Sequence, residues 1–116
     1  MHNFKDLRVW QKSIQLTTDI YKLLASFPTD EKFGLISRLK RAAVSVPSNI
    51  AEGAGRNSNK EFNHFLSISL GSLFELETQL IISKNLNLIN SNSLSEINNK
   101  ISELQKMVFS LKKSYT

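Results

Sequence analysis

Apolar residues recur along this chain at steps of three and four, in four stretches divided by breaks rich in Pro, Gly, Asn or Ser. That period marks helices with a buried face, and no stretch alternates with period two, so sheet has no support. Residues 6–26 place Leu7, Trp10, Ile14, Thr17, Tyr21 and Leu24 on one face, and a second row, Val9, Leu16, Ile20, Leu23 and Phe27, widens it. Asp6 is the expected N-cap and Pro28 the stop. A second helix is expected over 30–54, capped by Thr29 or Asp30, with Leu35, Ile36, Leu39, Ala42, Ala43, Val46 and Ile50 on its inner face.

The third helix, 59–85, has the clearest start: Ser58 as N-cap with Glu61 three residues on forms a capping box. Phe62, Leu66, Ser69, Leu73, Leu76 and Leu80 follow on one face. Gly71 stands mid-helix at a cost of about 1 kcal/mol against alanine, which close approach of a neighbouring helix would explain. Residues 85–93 read as a turn, and a fourth helix over 94–113 carries Ile97, Ile101, Leu104, Val108 and Leu111, with Ser93 and Glu96 as a second capping box. Four such helices with short connections predict one all-α domain, 1–116, folded as an up-down-up-down antiparallel four-helix bundle.

Pro47 interrupts this picture. It removes a backbone hydrogen bond and presses on the carbonyl of Ala43, four residues back. Either the helix bends near Pro47 and continues toward Gly53, or it ends at Val46 and a separate turn follows. The bent helix is preferred because Val46 and Ile50 keep the same face. Ser45 and Ser48 are then candidates to bond the freed groups, and Gly53 or Gly55 to supply a left-handed C-terminal residue.

The run "RAAVSVPSNIAEGAGR", with Pro47, Asn49, Glu52 and Gly53 at its centre, is preceded by "FKDLRVWQKSI" and followed by "EFNHFLSISLGSLFELETQL". Together these resemble the four-helix bundle family of ribosomal-RNA intervening-sequence proteins, also called S23-type, from Phe4 to about Leu111. The resemblance implies a small bacterial protein and ring-shaped homopentamers. One related branch, the accessory proteins of diversity-generating retroelements, partners a reverse transcriptase and binds nucleic acid. It identifies no molecular activity.

Charge adds a candidate surface. The net charge is +5, and residues 1–58 hold nine Lys/Arg against five Asp/Glu, a balance suited to an acidic partner. Arg38, Lys40, Arg41, Arg56 and Lys60 form the candidate RNA- or DNA-binding set, with a bend expected to draw the two groups toward one end of the bundle. On a helical wheel Arg38 and Arg41 share a flank with Ser45, Ser48 and Glu52, and Lys40 falls on the other. Without an aromatic RNA-binding motif or KH-type loop, contacts should be directed at the backbone. The "EGAGR" glycines also allow a phosphate cradle, with a plain turn as the alternative.

Little else suggests chemistry. There is no cysteine, which fits a cytoplasmic protein and rules out disulfides and Cys-based metal sites. His2 is terminal, where disorder is common, and His64 has only Glu61 at a metal-like spacing, so no metal, cofactor or catalytic residue is expected. Glu75 and Glu77 point to different sides of their helix, and Glu52 is expected as a structural acceptor or inter-subunit partner. No uninterrupted apolar run reaches five residues, so no membrane span is expected. Phe4, Trp10, Phe33, Phe62, Phe65 and Phe74 exceed what the inner faces can hide, which points to subunit contacts. Two readings follow: an oligomeric nucleic-acid-binding bundle, or a scaffold for a partner protein.

Overall fold

The computed structural model describes residues 2–28 and 34–116. The expected cap at Thr29 or Asp30, and Phe33, lie outside them. A single 3₁₀ turn, Phe4–Asp6, precedes four helices: α1 (Arg8–Leu24), α2 (Leu35–Ala54), α3 (Asn59–Asn85) and α4 (Ser91–Lys113). No strand occurs among the described residues. The bundle measures 43 × 22 × 20 Å.

Helix α1 packs on α2, α2 on α3, α3 on α4 and α4 back on α1. Neighbours run in opposite senses. Thr17 meets Ala43 and Tyr21 meets Lys40 across α1–α2, while Ser69 meets Val46 and Ser72 meets Ser45 across α2–α3. Asn63 meets Lys112 and Glu77 meets Gln105 across α3–α4; Lys12 meets Glu103 and Asp19 meets Lys100 across α1–α4. The core contains Ile20, Leu39, Val46, Ile50, Phe62, Leu66, Leu73, Leu76, Leu80, Ile101 and Val108, all essentially inaccessible.

In α1 the second apolar row is the inner one. Val9, Leu16, Ile20 and Phe27 of that row are buried; of the first row Leu24 is buried, but Ile14 and Tyr21 are about two-fifths exposed, at 41% and 42%. Both rows satisfy the helical period, so spacing alone does not choose between them. The entry to α1 differs as well. Leu7 is the N-cap, without a side-chain bond, and Asp6 belongs to the preceding 3₁₀ turn, which Asn3 caps by accepting from the Lys5 N–H.

Helix α2 runs unbroken through Pro47. The carbonyl of Ala43, deprived of its N–H partner four residues on, is met from α1: the Thr17 hydroxyl lies 3.0 Å from it and 2.8 Å from Ser13 O, sharing its proton. Ser45, a sequence candidate for that role, instead accepts from the Asn49 amide at 2.9 Å and the Ser72 hydroxyl at 2.8 Å, while Ser48 is exposed. Neither Gly53 nor Gly55 is left-handed; Gly55 sits at φ −82° and its N–H bonds back into the last turn.

The glycine that permits close approach is Gly53. A Cβ there would lie 2.6 Å from Phe65 Cβ and 3.1 Å from Phe62 Cδ1, so only a bare backbone lets α3 cross the end of α2. Gly71, expected in that role, has nothing within 4 Å of an added Cβ.

Ser58 caps α3 as expected, accepting from the Glu61 N–H at 3.1 Å, and its hydroxyl donates to the Glu61 carboxylate. The far end of α3 closes with Asn87 left-handed at φ 61° and the Leu88 N–H reaching Ser83 O at 2.9 Å, a Schellman arrangement. Helix α4 then starts earlier than the sequence suggests. Asn90, not Ser93, is its cap, accepting from the Ser93 N–H at 2.8 Å.

Helix α3 is apolar on more than its inner face: Ile68, Phe74, Ile81 and Ile82 are exposed. Its richest 18-residue window reaches a mean hydropathy of 1.3, long and apolar enough by composition to cross a membrane, with a third of that window buried in the bundle. The count of uninterrupted apolar residues misses this, because Ser, Gly, Thr and Glu punctuate the helix without lowering its mean far.

Candidate nucleic-acid interface

The five basic candidates fall into two separate places. Arg38 and Arg41 project from the first half of α2 beside α3, whereas Arg56 and Lys60 lie at the opposite end of the α2–α3 hairpin, about 20 Å along the helix axis. The unbroken α2 keeps the groups apart, so the expected convergence at one end does not occur. Lys40 turns to the other flank, its ammonium 5.1 Å from the Tyr21 ring on α1.

Arg56 is already engaged. Its guanidinium is 3.7 Å from Glu52, 3.9 Å from Glu61 and 4.9 Å from the Phe65 ring centre. Its own N–H bonds to Gly53 O, and the Gly55 N–H is also taken, so the "EGAGR" loop offers no ring of free N–H groups and is a turn rather than a phosphate cradle. Glu52, expected as a structural acceptor or inter-subunit partner, forms an exposed ion pair with Arg56 of its own chain.

Arg38 and Arg41 differ in that neither side chain makes an ion pair or hydrogen bond among the described residues. They line a cleft of about 360 Å³ with Ala42 and Ser45 of α2 and Ser72, Glu75 and Gln79 of α3. Helix periodicity builds it: Arg38 and Arg41 are one turn apart on α2, and Ser72, Glu75 and Gln79 climb α3 at steps of three and four. The inner wall is fixed by the Ser72–Ser45–Asn49 hydrogen-bond chain, and the side-chain oxygen of Gln79 is buried without a partner.

The structure also assembles cations not singled out from the sequence. Lys5, Arg8, Lys106, Lys112 and Lys113 collect at the end that carries Arg56 and Lys60, because α1 and α3 begin there and α2 and α4 end there. Lys112 donates to Asn63 Oδ1 at 3.1 Å, and Lys113 sits over the Phe109 ring. Arg8 and Lys106 rim a groove of about 490 Å³ floored by Leu7, Val9, Met107 and Leu111. The signal was the adjacent lysines in the last turn of α4, hidden by the nearly balanced charge of residues 59–116.

The other titratable groups singled out in the sequence make contacts within the protein. His2 is held in place: its backbone N–H donates to Ala54 O at 2.8 Å, and its ring packs against the contacting pair Phe62 and Tyr115, with the Tyr115 hydroxyl 3.3 Å from Nε2. His64 packs edge-on against Phe65, and Glu61 faces Ser58 and Arg56. Glu77 accepts from Gln105, on a different side of α3 from Glu75. Among the described residues no three potential metal ligands come together. At the α1–α4 seam, partial burial pushes the Asp19 carboxyl up, but hydrogen bonds from Lys100 and Gln15 outweigh it and hold the group below its ordinary 3.8. The hydrogen bond from Lys12 likewise lowers Glu103.

The sequence model of the 23S rRNA-intervening sequence proteins matches residues 5–110. This chain belongs to that family. A crystal structure of a protein of unknown function from the S23 ribosomal protein family of Bacteroides thetaiotaomicron is similar at 27% identity, with a TM-score of 0.81 over 90% of this chain and 98% of that one. None of the curated proteins matches. The family match spans all four helices of the intervening-sequence fold, including Pro47, Gly53 and the Arg38–Arg41 flank.

Proposed function

We propose that this intervening-sequence family member is a non-enzymatic, oligomeric helical protein that binds RNA or DNA through its phosphates. The observation that carries the reading is the exposed, unpaired state of Arg38 and Arg41, side by side on one flank of α2. Guanidinium groups without internal partners keep their full capacity for bidentate phosphate contacts. Arg56, stacked and doubly paired, is a weaker contributor, and Lys60 with the α4 lysines forms a second anion-attracting region. Self-assembly is supported by the outward apolar residues of α3, with Phe74 52% exposed, and by Phe109 on α4, 51% exposed. The exposed chemistry is that of binding groups.

The test is fluorescence anisotropy with structured RNA and duplex DNA from about 50 to 200 mM salt, alongside sedimentation to read the assembly state. Log affinity is expected to fall by about 0.7–0.9 per neutralised phosphate for each tenfold rise in salt. The Arg38→Glu/Arg41→Glu double substitution is expected to abolish binding with the assembly unchanged. Undiminished binding by that variant would move the interface off this flank, and no binding at any salt would overturn the reading.

A further inference from the structure

Two half-ladders face each other across the α2–α3 cleft: Arg38 and Arg41 on one wall, Glu75 and Gln79 on the other. A surface serving only a continuous phosphate backbone has no use for a carboxylate, which repels phosphate. Glu75 nevertheless stands in this cleft beside two cations, and no ion pair closes between them. Gln79 adds an acceptor oxygen that nothing among the described residues satisfies, an arrangement that disfavours the empty cleft. Ser45 and Ser72 are already bonded to each other and close the floor. Two free cations against one free carboxylate and one free acceptor match a ligand that brings an anion and an N–H donor together.

We infer that the cleft holds a single unpaired, amine-bearing nucleotide, with its phosphate on Arg38 and Arg41 and its exocyclic amine on Glu75 and Gln79; this rests on the nucleic-acid reading above. Acidic side chains accept from the cytosine N4 amine, whereas uracil presents a carbonyl at the same position and so a repulsive edge. In a helix that amine is engaged in base pairing and lies in a groove, so the base must be unpaired to reach a cleft between two helices. Cytosine, the smallest amine-bearing base, fits within the cleft of about 360 Å³ and is the base tested first. The backbone-directed binding expected from the sequence thereby acquires a base preference.

The full-length protein is titrated with fluorescein-labelled single strands of about 12 cytidines or about 12 uridines, and with a blunt RNA duplex, near 150 mM salt. The expected result is oligo(C) bound about tenfold tighter than oligo(U), within the discrimination one such base contact supplies. Glu75→Ala, an exposed helical position where alanine is well tolerated, is expected to bring that ratio close to one without weakening duplex binding. Equal affinity for the two single strands in the unaltered protein overturns the inference, as does a preference that survives Glu75→Ala. Duplex binding without any base preference removes the inference and leaves the phosphate reading standing; no binding of any probe removes both.

Discussion

The α2–α3 and α1–α4 seams close the same bundle by opposite means. Across α2–α3 the contacts are short: the buried Ser69 hydroxyl donates to Val46 O at 3.0 Å, Ser72 bonds Ser45, and Gly53 brings the α2 backbone against Phe65. No ion pair joins those two helices among the described residues. Across α1–α4 the polar links are lysine ion pairs, Lys12 to Glu103 and Lys100 to the partly buried Asp19. A groove opens beside them where Leu7 and Val9 face Met107 and Leu111. A hydroxyl reaches only a backbone already nearby, whereas a lysine spans a gap. Small residues therefore mark a close seam and opposite charges a looser one, and the energies should divide accordingly.

The contrast is tested hardest at Gly53. Gly53→Ala is expected to lower stability by about 2 kcal/mol in urea unfolding, because the added methyl collides with Phe65, even after the roughly 1 kcal/mol gained in helix propensity. Gly71→Ala, with open space around its new Cβ, should do the reverse and stabilise by up to about 1 kcal/mol. Equal effects at the two glycines would show that α3 is not held tightly against α2.

Thr17→Val comes next. Removing the hydroxyl leaves Ala43 O without a donor beneath Pro47, at an expected cost of about 1 kcal/mol. The cost should shrink in a Pro47→Ala background, where a restored N–H reaches that carbonyl; a double-mutant cycle with no coupling would dismiss the compensation.

The smallest effect belongs to the α1–α4 charges. Lys100→Ala is expected to cost less than about 1 kcal/mol at neutral pH and to lose most of that effect in high salt. The folded-state value of Asp19 lies below its ordinary 3.8, so its contribution is present above that value and fades as acid protonates the folded form. Melting curves taken from neutral pH downward should show Lys100→Ala and the unaltered protein converging at the acid end. A constant gap would assign the effect to something other than the Asp19 charge.

Much of the scaffold was legible because helix periodicity and capping are local properties. Phe62, Leu66, Leu73 and Leu80 share a face whatever packs on it, and Ser58 with Glu61 marks a helix start by its own chemistry. What escaped depends on partners. In α1 both apolar rows fit the period, and only the positions of α2 and α4 select the inner one. Gly53 and Gly71 are equivalent as letters; the neighbour that makes one indispensable comes from another helix. Asn90 and Ser93 are both good caps three residues apart, and the Schellman ending of α3 brings α4 in early enough for Asn90. In the candidate site, the adjacency of Arg38 and Arg41 followed from the helical wheel. Their separation from Arg56 needed α2 to be continuous, and the role of Glu75 needed the cleft opposite.

The looser seam also has a consequence in time. Its defining contact joins residues 81 positions apart, Asp19 and Lys100, whereas the α2–α3 hydrogen bonds close loops of only 23 and 27. Loop closure grows more costly in entropy with separation, and nearby contacts form first. The α1–α2 and α3–α4 contacts close loops of 26 and 28 residues, much like those of α2–α3, so the α1–α4 seam is expected to be the last made and the first undone. Transient opening of the native protein is expected to begin there, with hydrogen-exchange protection lowest along the α1–α4 seam and higher around the α2–α3 cleft.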